Sequence, residues 1–313
     1  MVHLNRALRE GGTIGICAPS GFLPVPEKLP LAVSRLQSHG YKVVVAPSVL
    51  AQEGYCAGST ESRLSDFHQL VANPDIDLIM AARGGFGLSH LLPHIDWKAC
   101  AKSQKLFCGF SDFTALHLAL YSQTGQISLA GPMAVTDFAG SDESALHAEH
   151  FWALVSGQRS AEHIYPEWQS DQAHQPKKIE GTLWGGNLSL VTHLMGTPWF
   201  PQIEGGLLFL EDIGEAPYRI ERMLMQLDLS GVLAKQSAII LGAFTGCEPP
   251  EGAVAQYHLS EVITGLRKRF AGPVISGLPF GHIKEKFTLP FGAPATLRID
   301  GLNCRLSVEI ALQ

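Results

Sequence analysis

Leu106-Phe107-Cys108-Gly109 is a short apolar run, and Phe110-Ser111-Asp112-Phe113 turns it at once into a helical stretch that continues through Leu120. A buried strand feeding directly into a helix is half of a β-α-β unit. The same rhythm extends outward on both sides. Toward the N-terminus, Asp77–Ala82 reads as a strand that breaks into Arg83-Gly84-Gly85-Phe86-Gly87. Before it, a helix opens at Ser59/Thr60 with Glu61, runs to about Val71 and is stopped by Asn73-Pro74. Tyr41–Ala46 is another strand, preceded by a helical segment with Leu31, Val33 and Leu36 that ends at Gly40. Thr13–Ala18 is the first strand, turned by Pro19-Ser20-Gly21, and Ser128–Ala130 is the fifth. Strands alternating with helices predict an α/β fold, a parallel sheet with helices on both faces.

The pattern then changes. Ser141–Ser156 reads as a helix, and Gly157–Lys178 is polar and irregular, which divides the chain into residues 1–156, a linker at 157–178, and a second unit at 179–313. In that unit Ile179–Leu183 leads to a Gly185-Gly186-Asn187 turn and a short helix capped by Gly196. Gly206–Leu210 and Ser237–Leu241 are strand candidates, and Thr296–Ile299 with Arg305–Val308 predict a hairpin around Asp300-Gly301.

Composition narrows the function. The 313 residues suffice for two cores, and 46% hydrophobic against 17% charged residues excludes a disordered chain. The formal charge is −6, and the one dense basic cluster, Arg267-Lys268-Arg269, reads as a solvated helix end, so no nucleic-acid partner is expected. No apolar run approaches the ~18 residues of a membrane helix. Thr13–Ala18, behind Arg6 and Arg9, is too short and glycine-rich for a signal peptide. Six scattered cysteines without a C-x-x-C pair predict reduced thiols and a cytoplasmic protein, with neither disulfide framework nor cysteine zinc site. H-E-x-x-H is absent, and His90 and His94 are separated by Pro93, so no metal is expected. The G-x-G-x-x-G fingerprint of dinucleotide binding is absent too.

Chemistry in α/β sheets collects where strands end at their carboxyl edge. Ser111, between strand and helix, is either a helix N-cap or an exposed nucleophile whose following amide faces a developing oxyanion. The Arg83–Gly87 turn is either a tight turn or an amide cradle for an anion. Glu211-Asp212, after Leu207–Leu210, is a solvated strand end or a carboxylate set at a cleft. Glu215 and the arginines Arg219 and Arg222 fit surface ion pairs. His282, in a Gly-Pro loop, is either solvent-exposed or facing a neighbour across a boundary. Together these residues spell Ser–Glu–His in chain order, the types that a nucleophile, an orienting anion and a base require.

Cys17-Ala18-Pro19-Ser20-Gly21, Arg83–Gly87, Gly109–Ala115, Gly131-Pro132-Met133, Gly181–Asn187, Gly196-Thr197-Pro198-Trp199 and Leu210–Ile213 resemble, in this order, the motifs of the LD-carboxypeptidase family. The match runs from about Ile16 to Leu297. The resemblance implies a Rossmann-like N-terminal domain similar to class I glutamine amidotransferases, a smaller C-terminal α/β domain, and an active site at their interface. It implies a serine peptidase with Ser111 as nucleophile, Glu211 as orienting carboxylate and His282 as base, and an oxyanion hole from the amides of Gly85 and Asp112. The expected reaction is release of the terminal D-alanine from a murein tetrapeptide, without metal or organic cofactor, in peptidoglycan recycling. Arg83 is a candidate for the substrate's carboxylate, and Trp184 and Asn187 are candidate substrate contacts. Members of the family are often homodimers. Other readings remain: the microcin-immunity branch, which cleaves aminoacyl- or peptidyl-nucleotide amides, and a non-catalytic muropeptide-binding module.

Overall fold

The computed structural model describes residues 6–140, 145–156, 162–252, 254 and 256–310, with side chains in helix 145–155 described from residue 149 on. The first half contains β1 (Thr13–Cys17), α1 (Lys28–Ser38), β2 (Lys42–Val45), α2 (Thr60–Ala72), β3 (Leu78–Ala81), α3 (Trp97–Ser103), β4 (Leu106–Gly109), α4 (Thr114–Thr124), β5 (Ser128–Ala130), α5 (Ala134–Phe138) and α6 (Ala145–Val155). The second contains β6 (Glu162–Ile164), β7 (Trp168–Asn187), α7 (Leu188–His193), β8 (Leu207–Ile213), α8 (Pro217–Leu229), β9 (Ala238–Thr245), α9 (Leu259–Arg269), β10 (Val274–Ile275), β11 (Leu289–Phe291) and β12 (Pro294–Glu309).

Two six-stranded sheets result. The first has the order β11-β5-β4-β3-β1-β2, and its five N-terminal strands run parallel. Read from β2, this is the 2-1-3-4-5 order of doubly wound folds. Four of them are apolar because both faces are covered: all residues of β1, β3, β4 and β5 are buried, whereas β2, at the sheet edge, is exposed or half-buried. Helix α4 is buried from Thr114 through Leu120. A helix apolar all round must be covered all round, and α4 packs against α7 and β7 as well as β5. The helix that follows Ser111 thus lies between the two halves.

The second sheet has the order β10-β9-β8-β7-β12-β6, and three expectations change there. The segment 157–178, read as an irregular linker, contains β6 and the first part of β7, while 157–161 lie outside the described residues. Its polar sequence misleads because β7 from Gln169 to Lys178 is exposed at most positions. Gly185-Gly186-Asn187 is no turn but the end of β7. Both glycines hold positive φ, +133° and +122°, and a methyl on Gly186 would lie 2.6 Å from Thr114 Oγ1. Only glycine lets the strand lie this close to α4. Asp300-Gly301 makes no hairpin: β12 runs straight through it, antiparallel to β7, and register shifts flank Gly301. Of the helix expected at 141–156, residues 145–155 are helical and 141–144 lie outside the described residues.

One strand changes sides. β11, from the second half, pairs antiparallel with β5 of the first sheet through Leu289↔Ala130 and Phe291↔Ser128. The chain then returns to the second sheet as β12.

Candidate active site

Ser111 follows β4 with φ +63°, a left-handed conformation that costs a non-glycine residue about 1–3 kcal/mol. The turn leaves the hydroxyl facing the second half, with α4 starting three residues later. A methyl on Gly84 would lie 2.7 Å from Ser111 Cβ and 3.5 Å from the Asp112 amide nitrogen, so the Gly84-Gly85 turn after β3 lies directly on the Ser111 turn. Two buried side chains hold these turns together. Asp112 accepts from the Leu88 amide at 3.0 Å, and its burial raises its pKa above the usual carboxylate value. Arg63, 2% exposed, donates through Nη1 to the carbonyls of Pro19 (2.5 Å) and Gly87 (2.9 Å). Sequence gave no sign of Arg63, which occupies an ordinary polar position in an amphipathic helix.

Glu211 is fully buried within β8, which continues through Asp212 to Ile213 rather than ending at Leu210. Its Oε2 lies 2.7 Å from His282 Nδ1. His282 Nε2 lies 3.0 Å from Ser111 Oγ. The imidazole sits in a loop fixed by the Thr245 hydroxyl, which donates to the His282 carbonyl at 3.1 Å, and against the Phe110 ring at 5.0 Å between centroids. A carboxylate at Nδ1 keeps the proton on that nitrogen and leaves Nε2 to accept from a hydroxyl. Glu215, the next glutamate along the chain, faces Arg219 at 3.6 Å on the first turn of α8, as a surface ion pair.

Asn187 and Trp184, the candidate substrate contacts, are both buried. Asn187 is buried, and its Nδ2 donates to Glu211 Oε1 (3.2 Å) and Asp212 Oδ1 (3.0 Å), while its Oδ1 accepts from Leu190 N at the start of α7. Its side chain serves the carboxylates. Trp184 is fully buried, donates to Gln236 Oε1 at 2.8 Å and packs on Phe200. It belongs to the core. Arg83 is half-buried, donates through Nη1 to the Phe22 carbonyl at 2.7 Å, and would have its Nη2 3.5 Å from a methyl on Gly85. Burial lowers its pKa below the ordinary arginine value.

His117 is a further residue that the sequence reading passed over. It is buried beneath the Ser111 turn, with Nε2 2.9 Å from the Gly109 carbonyl and Nδ1 2.8 Å from Ser128 Oγ. Burial drives its pKa down to about 4. The neutral ring thus donates from Nε2 to Gly109 and accepts at Nδ1 from Ser128. Elsewhere, Arg267 and Arg269 at the end of α9 pair with Asp171 and Asp228. All six cysteines are buried and free. Among the described residues, no group of three or more His, Cys, Asp or Glu could hold a metal ion, and no helix is long and apolar enough to cross a membrane.

A hydroxyl, an imidazole and a carboxylate in series are the equipment of a serine hydrolase, and that is the class this fold and site define. Comparison with known proteins narrows it. The model of the LD-carboxypeptidase N-terminal domain matches residues 14–131, and that of the C-terminal domain matches 180–297. A probable murein peptide carboxypeptidase of Bacillus subtilis is 35% identical over 293 residues, covering 93% of this chain and 90% of the relative. The Microcin C7 self-immunity protein MccF of Escherichia coli is 31% identical over 333 residues, covering 98% and 96%. The crystal structure of muramoyltetrapeptide carboxypeptidase from Oxalobacter formigenes superposes with a TM-score of 0.87 at 39% identity, covering 96% of this chain and 100% of that one. The chain belongs to the LD-carboxypeptidase family.

Proposed function

We propose that this enzyme releases the terminal D-alanine from murein tetrapeptides, cutting the bond that follows the L-centre of meso-diaminopimelate or L-lysine. The observation that carries the reading is the unbroken series Ser111 Oγ, His282, Glu211, with 3.0 and 2.7 Å spacings. Ser111 Oγ attacks the scissile carbonyl while His282 Nε2 takes its proton. Glu211 stabilises the imidazolium. The amides of Gly85 and Asp112, on turns that lie against each other, face the oxyanion. His282 then gives the proton to the departing amine of D-alanine, leaving an acyl-enzyme at Ser111. Water, deprotonated by His282, hydrolyses that ester and frees the tripeptide.

A carboxypeptidase must also hold a free terminal carboxylate. Arg83 fits that task, since its guanidinium is half-buried beside Gly85 and spends Nη1 on Phe22. The six buried free thiols support action in a reducing compartment, the cytoplasm, on recycled wall fragments. A homodimer is the assembly the family resemblance implies, and light scattering tests it.

The experiment is incubation with a diaminopimelate-containing tetrapeptide in EDTA, followed by mass spectrometry beside Ser111→Ala. Loss of one alanine with wild type only is the expected result. An intact tetrapeptide together with cleavage of an aminoacyl-nucleotide amide would replace the reading by that of the microcin-immunity branch, to which the similarity to MccF lends support. Binding of tetrapeptide without turnover of either substrate would replace it by the binding module.

A further inference from the structure

Lys286 is a buried cation outside the Ser–His–Glu series. It lies four residues after His282, and its side chain is only 3% exposed. Its Nζ lies 2.7 Å from Asp137 Oδ1 on α5, in the other half of the molecule. Asp137 is itself fixed, because its Oδ2 accepts from the Met133 amide at 2.8 Å. The same Nζ stands 4.2 Å from the centre of the Phe110 ring. Phe110 directly precedes Ser111, is 2% exposed, and packs its ring against His282.

Four side chains from two halves therefore form one chain of contact: Asp137, Lys286, Phe110, His282. The loop between Pro279 and Phe287 is closed at its base by the Phe287 amide on the Pro279 carbonyl, 2.7 Å. Closure fixes the stem of the loop, and the Asp137 contact fixes it against the half that carries Ser111. A desolvated ammonium also grips an aromatic face, an attraction that grows as water is excluded. Burying a charge pair contributes little net stability compared with apolar residues of the same size. The pair is thus a poor choice for stability and a good one for directional placement.

We infer that Lys286 is a positioning residue, which holds the Phe110–Ser111 turn and the His282 loop in register across the interface. The inference rests on the proposed roles of Ser111 and His282. Displacing an imidazole by a fraction of an ångström from its hydroxyl lowers the rate of proton transfer while leaving substrate binding largely intact.

Lys286→Met alone strands the Asp137 carboxylate and can fail through misfolding. The informative variant is Lys286→Met with Asp137→Leu, which removes both charges. It is compared with Lys286→Arg and wild type. Reaction of Ser111 with a fluorophosphonate reports the hydroxyl–imidazole pair without any peptide substrate, and tetrapeptide turnover is measured beside it. The expected result is a double variant with a Tm within a few degrees of wild type, labelling slowed by at least about tenfold, kcat lowered in parallel and KM changed less than about twofold. Lys286→Arg recovers part of the labelling rate. Labelling of the folded double variant at the wild-type rate would overturn the inference, as would absence of labelling in the wild type. Wild-type labelling without tetrapeptide cleavage would sink the proposed substrate and leave the Lys286 comparison intact.

Discussion

Asn187 gives its two amide hydrogens to two buried carboxylates, one on Glu211 and one on Asp212. Glu211 thereby has one oxygen on Asn187 and the other on His282. The main-chain amide of Asn187 meanwhile donates to Thr114 Oγ1 on the first turn of α4, at 3.1 Å. From Ser111 the contacts run through α4 to Asn187, then Glu211 and His282, and back to Ser111. The ring crosses the interface twice.

Breaking that ring at Asn187 has a defined cost. In Asn187→Ala, two buried carboxylates each lose a donor, a loss of about 1–3 kcal/mol in stability. Glu211 also loses the contact that orients its Oε1, and kcat falls by about 10- to 100-fold with KM within about threefold. Denaturant titration and steady-state kinetics check both. A variant with raised KM and intact kcat would return Asn187 to the role of substrate contact.

Ser111 holds a left-handed backbone, with φ +63°, a conformation that costs a non-glycine residue stability. Ser111→Ala and Ser111→Gly are both expected to be inactive, but only glycine relieves the conformation. The glycine variant is predicted to be more stable than the alanine variant by about 1 kcal/mol. Equal stability in urea would mean the turn relaxes without strain.

His117 gives the protein an acid-labile element. Its folded pKa is about 4, against 6.5 for the free side chain. Protons therefore bind the unfolded chain first, so stability is complete above pH 6.5 and is lost as pH falls from there toward 4. The share from this residue reaches about 3 kcal/mol at most. Urea unfolding between pH 4 and 7 measures the slope, and His117→Gln should flatten it. An unchanged slope in that variant would assign the lability to other groups.

Trp184 separates core from site. Trp184→Phe removes the donor that satisfies Gln236 Oε1, and about 1–3 kcal/mol of stability should go with it. Both kcat and KM should stay at wild-type values. A KM effect larger than about threefold would put the tryptophan in contact with substrate after all.

The alternation of strand and helix up to Ala130 was legible because each buried parallel strand is a short apolar run bounded by turn residues. Ser111, Glu211 and His282 could be singled out by residue type and motif, since a nucleophile, a base and an anion are chemically distinctive. The burial of Asn187 and Trp184 was not legible, because the Trp184–Asn187 motif is equally consistent with packing and with contact to substrate. Long β7 was hidden by its own exposure: with most positions from Gln169 to Lys178 facing water, no apolar alternation marks it. Lys286 and Arg63 were invisible, as charged residues whose burial depends on partners far away in sequence.

Strand β11 has a consequence for how the molecule is made. Until Leu289–Phe291 arrives, β5 presents a bare edge, with its hydrogen-bonding groups on that side unsatisfied by the first sheet. During synthesis the first sheet must wait for more than 150 residues after Ala130 before it can close. A protein cut between its halves would leave Ser111 on an open-edged sheet that invites other strands. Closure of the sheet that carries Ser111 and arrival of His282 are thus completed by the same late stretch of chain.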